Sequence, residues 1–326
     1  MLPHLDDYLL SLQTNNYSEK TVYNYERDLK VFEQWMDKDA KTPFKALKRR
    51  QIDLYKAYLV SRDRMTAEAQ KGLKKLNSYS INRMLSALRS YLKYLLDNDY
   101  ECPISPQMIR LTKTTKKHPQ VAELADIIRL IEAPTKYEKE KHIALRNRAM
   151  MEVLFATGMR ISELLSLNKN QIDPTGKIFI EGKGRKQRFV YMTSRAKQHA
   201  EKYLNSRSDN HPALFIPYRG SRAGSINSRI STNYLQMKIK EYRDLLKINV
   251  PTSAHSLRHG FATYLAEQGA NPAAIQILLG HESLDTTTRY VNASDKYAER
   301  THKKFHPLKD NWIYEYPMAK KYYWKN

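Results

Sequence analysis

HSLRHGFATYLAEQGANPAAIQILLGHESLDTTTRY, residues 255–290, sets chemically competent side chains into an apolar background. Between its polar groups, GFATYLAEQGANPAAIQILLG reads as two packed helices joined by a Gly-Ala-Asn turn. The apolar residues recur at helical spacing, and glycine and asparagine punctuate the break. The apolar set then builds a scaffold on which His255, Arg258, His281 and Tyr290 are held. Each has a purely structural alternative. His255 and His281 could be satisfied core histidines, and Tyr290 is one of 23 tyrosines.

The chain has 326 residues, enough for two domains with a sizeable core in each. Its 56 Lys and Arg outnumber 34 Asp and Glu, a formal net charge of +22. Such an excess points to a polyanionic partner, because each basic side chain laid on a phosphate releases a counterion. A generally basic, solvated surface is the alternative. The single cysteine, Cys102, excludes an internal disulfide framework and a cysteine-based metal site, and it fits a reducing interior. MLPHLDDYLLSLQTNNYSEKT at the N-terminus lacks a basic leader before an apolar run. No apolar stretch approaches the roughly 20 residues of a membrane span. A cytoplasmic location without membrane association is expected.

The first third reads as helical. In residues 18–36, Val22, Tyr25, Leu29, Phe32 and Met36 recur at helical spacing, with Ser18 and Thr21 as candidate N-caps. Residues 46–62 give a second helix. Residues 64–76 are polar and helix-prone. Residues 78–99 carry a stripe of Ile81, Leu85, Leu88, Leu92 and Leu95. Pro103 and Pro106 stop that helix. A basic, Thr-rich run without periodicity follows, with Arg110, Lys113, Lys116 and Lys117, and reads as an interdomain linker that either hangs free or lies on a phosphate backbone. Helices return at 121–134 and 143–158, where Gly158 is a C-cap, and a short one follows in MRISELLSL. GKIFIEGKGRKQRFVYM, residues 176–192, alternates as a hairpin: Ile178 and Ile180 share one face, Phe189 and Tyr191 lie on the returning strand, and GKGRK is the turn. The remainder is mostly helical. The expected fold is mainly α with a small β-sheet (α+β), divided into a helical domain over 1–108, a basic linker over 109–120, a second domain over 121–301 and a tail over 302–326.

ATGMRISELLSL, EGKGRKQRFVYM, HSLRHGFATYLAEQGA and LLGHESLDTTTRYV occur in this order and at these separations. Together they resemble the tyrosine site-specific recombinases, in particular the Xer-type and phage-integrase branch. The resemblance covers about Val121 to Tyr290, and SINRMLSALRSYLKYLL resembles the last helix of that family's N-terminal core-binding domain. It implies a two-domain DNA clamp with a SAM-like core-binding domain. It places the catalytic residues at Arg160, Lys183, His255, Arg258 and His281, with Tyr290 as nucleophile. Glu163, three positions past the first arginine, is expected to orient Arg160. His259 lies outside the pattern and is expected in the core or pointing elsewhere.

The chemistry fits those residue types. A phosphodiester under attack gathers charge on its non-bridging oxygens, and two guanidinium groups can hold them through paired, directional hydrogen bonds. Preorganised cations of this kind do most to lower the barrier to such a reaction. Tyr290 would attack phosphorus and become joined to the 3′ phosphate. A phenol titrates near 10, so it needs a base, and His255 is the candidate. Lys183 would protonate the departing 5′ oxygen. His281 would bond the phosphate or buttress Tyr290. The phosphotyrosine ester retains the energy of the broken bond, so no ATP is required. No phosphate-cradling glycine motif and no carboxylate cluster for Mg²⁺ is evident, and neither cofactor nor metal is expected. The basic turn residues Arg185, Lys186 and Arg188, like the linker cations, are expected on DNA phosphates. The implied partners are a double-stranded recombination site and a homotetramer on DNA, reached by a helix in SDKYAERTHKKFHPL anchored by Tyr297 and Phe305. Whether an accessory or activating protein takes part is left open, as is the choice between dimer resolution and mobile-element integration. A monomeric topoisomerase-like enzyme with the same tyrosine chemistry, and a catalytically silent DNA-binding protein, are the competing readings. The aromatic and lysine-rich end from Trp312 to Asn326 departs from the family pattern.

Overall fold

A computed structural model of the chain describes residues 1–61, 75–114, 121–182, 187–220, 223–225, 228–280 and 295–308. The chain divides into two compact units, Met1–Lys117 and His118–Asn326.

The first unit is built from α1 (Leu5–Thr14), α2 (Glu19–Trp35), α3 (Arg49–Ser61) and α4 (Ser78–Asp97). Ser18 caps α2 by accepting from the Thr21 amide at 3.2 Å, and Asn77 caps α4 by accepting from Ser80 at 2.8 Å. The α4 stripe of Ile81, Leu85, Leu88, Leu92 and Leu95 is buried in one cluster with Phe32, Trp35 and Tyr55. Each such side chain contributes about 1.5–3 kcal/mol of burial free energy. Arg83 of α4 donates to the buried Asp28 of α2, tying the two helices together.

The expected linker does not begin at 109. Ile109 is buried and its carbonyl accepts from Arg89. Asn82 accepts from the Thr112 amide and hydroxyl at 2.8 Å each and donates to its carbonyl at 2.9 Å. An amide side chain offers donor and acceptor together, so one asparagine holds an extended segment that has no periodicity of its own.

In the second unit, α5 (Leu124–Tyr137), α6 (Lys141–Thr157) and α7 (Ile161–Ser166) precede the hairpin β1 (Lys177–Glu181) and β2 (Gln187–Tyr191). Then come α8 (Ser194–Asn205), α9 (Thr232–Leu245), α10 (Ala254–Glu267), α11 (Pro272–Leu279) and α12 (Asp295–Phe305). Helix α6 is buried on all sides from Arg146 onward and forms the axis on which α5, α8 and α10 pack. It ends at Gly158, whose φ of +61° few side chains tolerate and where an added Cβ would lie 2.4 Å from the Phe261 ring.

The strands pair antiparallel, with Ile178 opposite Val190 and Ile180 opposite Arg188. Ile178, Ile180 and Val190 face the core, while Phe179 and Phe189 pair on the other side, 5.2 Å between ring centres. Between α10 and α11 the chain turns at Gly269, and Asn271 caps α11 ahead of Pro272.

The boundary expected at 301 falls inside α12. This helix packs on α11, β2 and α10 of its own unit, and His302, His306 and Leu308 are buried there. His302 faces inward from the helix, and His306 and Leu308 just past its end are buried with it, an apolar contact that the charge-rich sequence around them hides. Among the described residues, no helix is long and apolar enough to cross a membrane.

Candidate active site

Helix ends leave their last carbonyls without partners, and the C-terminal end of the peptide dipole attracts cations. The end of α11 uses both facts. Arg188 Nε donates to the Leu278 carbonyl at 3.0 Å, Arg258 Nη2 to Leu279 at 2.6 Å, and Arg160 Nη2 to Gly280 at 3.4 Å. Three consecutive carbonyls thus gather three guanidinium groups from three separate elements: β2, α10 and the N-cap of α7.

Each arginine is held elsewhere too. Arg258 Nη1 donates to the Gly158 carbonyl at 2.8 Å. Glu163 accepts from the Arg160 amide at 2.7 Å and from Arg160 Nη1 at 2.8 Å. The same carboxylate takes both terminal nitrogens of Arg188, at 3.1 and 2.7 Å. One carboxylate among three guanidiniums leaves an excess of two positive charges. Arg258 is lowered to about 10 by burial and then by its neighbours Arg160 and Arg188, with Glu163 opposing. Burial works against ionised Glu163, but hydrogen bonds from Arg188 and from the Arg160 amide outweigh it and hold the carboxyl below its usual range. Arg160 keeps about a third of its side chain exposed, at 34%. The cluster is therefore net positive, fixed by its hydrogen bonds and open on one side, an arrangement that can hold an anion.

His255 stands on α10, three residues before Arg258, with its ring edge-on to that of His259 and the two Nε2 atoms 3.1 Å apart. Burial first, then the neighbours His259, Arg258 and Arg160, lower its pKa. A neutral imidazole at pH 7 is a proton acceptor. His259 is half-buried and faces His255, so it is not a core histidine; the four-residue spacing on one helix brings the two rings together.

Arg188 departs most from expectation. Instead of reaching for DNA phosphate, it is buried, 8% exposed, with each guanidinium nitrogen bonded to Glu163 or Leu278. The reason lies in strand alternation: Val190 faces inward, so residue 188 must as well. That period is present in the sequence and points to a paired arginine. The part played by residues 278–280 is not legible there, because it consists of backbone carbonyls and of Gly280, whose φ of +64° sets it against Arg188.

Arg110 and Lys113 are exposed in the first unit. Lys183, Arg185, Lys186, Lys116, Lys117, His281 and Tyr290 lie outside the described residues. Two clefts elsewhere in the second unit contain none of the site residues: one of about 420 Å³ beside Arg146 and Tyr234, the other of about 730 Å³ beside Arg129 and His199. An open cationic surface suits a polymer backbone better than a closed pocket does.

Residues 121–297 match the Phage integrase family, and residues 5–99 match the Phage integrase N-terminal SAM-like domain. The chain is 28% identical over 311 residues to tyrosine recombinase XerD of Staphylococcus epidermidis, covering 93% of this chain and 98% of the relative. It is 31% identical over 301 residues to tyrosine recombinase XerC of Pediococcus pentosaceus, covering 89% and 93%. Its fold is similar to that of XerH site-specific recombinase, solved bound to its difH substrate in a pre-cleavage complex, with a TM-score of 0.62 and 21% identity over 86% of this chain and 78% of that one. With more than half its length matched and both units accounted for, the chain belongs to the phage integrase family and is a site-specific tyrosine recombinase of the Xer-like branch.

Proposed function

We propose that this recombinase cuts double-stranded DNA through a 3′-phosphotyrosine at Tyr290, with Arg160 and Arg258 holding the scissile phosphate. The observation that carries this reading is the net-positive arginine cluster anchored on the end of α11, one residue before His281. Its excess of two charges suits a pentacoordinate phosphorane, which carries one more negative charge than the diester it forms from. In the forward step the Tyr290 oxygen bonds phosphorus as its proton passes to neutral His255. The bond to the 5′ oxygen breaks, and Lys183 supplies the proton that oxygen takes up. His281 supports the phosphate or the phenol. Glu163 keeps Arg160 facing outward.

Each chain supplies one phenol, and exchange between two duplex sites cuts four strands in all. The assembly on DNA is therefore a homotetramer working through a Holliday junction. Arg110, Lys113, Lys116, Lys117, Arg185 and Lys186 serve the sequence-independent grip on the backbone.

The test is to incubate the purified chain with fragmented genomic DNA, trap covalent adducts by denaturation, and sequence the attached strands. Adducts at one defined sequence, absent with Tyr290→Phe, are expected. An adduct that survives Tyr290→Phe, or plasmid relaxation without site preference, overturns the reading.

A further inference from the structure

We infer that Arg188 is a positioning residue for strand cleavage, acting through Glu163 on Arg160. The inference rests on the proposed roles of Arg160 and Tyr290.

All three guanidinium nitrogens of Arg188 are engaged. Nε reaches the Leu278 carbonyl at 3.0 Å, Nη1 reaches Glu163 Oε1 at 3.1 Å and Nη2 reaches Glu163 Oε2 at 2.7 Å. This is a two-pronged pair on a planar carboxylate, with the third donor fixing the plane, and only arginine has that fork. The other face of the group lies against Gly280, where an added Cβ would sit 2.9 Å from Nη1 and 3.0 Å from Cδ. The fit is tight from both directions, so the group has one position.

That position decides what Glu163 can do. Each of its oxygens accepts once from Arg188 and once from Arg160, Oε1 from Nη1 and Oε2 from the backbone amide. Were Arg188 absent, the vacated acceptors of a buried carboxylate would draw in further donors. Arg160 is already bonded to it, and its remaining N–H groups would turn inward and away from a phosphate. Arg188 thus saturates Glu163 and leaves Arg160 donors for substrate.

The same side chain joins three elements at one point. It stands on β2, five residues after Lys183 in the chain, while Glu163 belongs to α7 and Leu278 to α11. The strand β2, which follows Lys183 in the chain, is therefore pinned to the carboxylate that bonds Arg160. With all three guanidinium nitrogens engaged and its surface buried, Arg188 is not placed to grip a DNA phosphate directly.

Arg188→Lys keeps the charge and loses the fork. The measurement is single-turnover adduct formation, at saturating DNA and well below the melting temperature, on a nicked suicide duplex built from the trapped sequence. DNA affinity is followed separately by gel shift. Displacement of a reacting group by about 1 Å costs about 100-fold in rate, so a fall of that order is expected, with affinity within a few-fold of the unaltered chain. Glu163→Gln should also slow the step, and the double variant should be no slower than the worse single one, because the two residues act as a unit. An Arg188→Lys rate equal to that of the unaltered chain, losses that multiply in the double variant, or a loss confined to affinity would each overturn the assignment. No adduct from the unaltered chain overturns the proposed function and takes this assignment with it.

Discussion

At the end of α11 three arginines, two of them buried, keep their charge, and beside α12 two histidines are buried without theirs. Both clusters serve carbonyls at a helix C-terminus. His302 Nε2 donates to the Ala156 carbonyl at 2.6 Å and His306 Nε2 to Phe155 at 3.5 Å, in the last turn of α6. The Leu308 amide donates back to His306 Nδ1 at 3.0 Å, which only an unprotonated nitrogen can accept. Desolvation lowers His302 to about 4 and His306 well below the ordinary histidine value, the latter also through His302 beside it. Arginine has no such exit. It cannot deprotonate, so its burial calls for a carboxylate, Glu163, and for carbonyl dipoles. One cluster keeps a charge excess that a substrate can neutralise. The other discards its charge and becomes core. Gly158 stands between them: its carbonyl takes Arg258, and its Cα lies against Phe261, whose ring packs on both histidines.

The sharpest way to break the contrast is at Arg258. Replacing it by lysine keeps one charge but removes the paired geometry. Loss of one such transition-state donor costs about 10²–10³ in rate, to be read as single-turnover adduct formation. A change under threefold would mean the buried guanidinium is only structural.

Gly158→Ala strikes both clusters. A left-handed backbone angle and a Cβ 2.4 Å from Phe261 combine strain with overpacking. A loss of roughly 2–5 kcal/mol in unfolding free energy is expected from those two sources. Denaturant titration measures it, and an unchanged midpoint would show that the turn relaxes freely.

Acid separates the clusters. Between about pH 6.5 and 4 the unfolded chain binds protons at positions 302 and 306 that the folded chain refuses. Stability from this pair is complete above the unfolded pKa and is lost as pH falls, by up to about 1.4 kcal/mol per pH unit for each histidine. Melting curves across that range should show the decline, and the double variant His302→Gln/His306→Gln should flatten it. An identical acid slope in both proteins would assign the loss to other groups.

The smallest effect concerns His259. His259 is among the causes that lower His255, so His259→Asn should raise the His255 pKa and move the acid limb of the cleavage rate to higher pH. Because His255 must be neutral to accept the phenol proton, activity in the unaltered chain should persist below pH 6.5 and fail only at lower pH. A pH–rate profile unmoved by His259→Asn would remove that histidine from the site.

Much of this molecule is legible from local pattern. The α4 stripe, the Ser18 cap, the Gly158 stop, the α10–α11 turn and the hairpin all follow from spacing and turn chemistry, which act within a few residues. Arg160, Glu163, His255 and Arg258 stand out by motif and are found together around the end of α11. Arg188 is the exception. A basic turn looks uniform by composition, which assigns every cation in it to phosphate, although period-2 alternation already sets this one inward.

Sequence alone determined which residues can supply the chemistry, since a guanidinium, an imidazole and a phenol carry their reactivity with them. Only the tertiary structure decided that Arg188 turns in onto Glu163 while Arg160 keeps an exposed side. That choice depends on carbonyls at the end of α11 and on a glycine with no Cβ, and backbone groups leave no mark in the order of side chains.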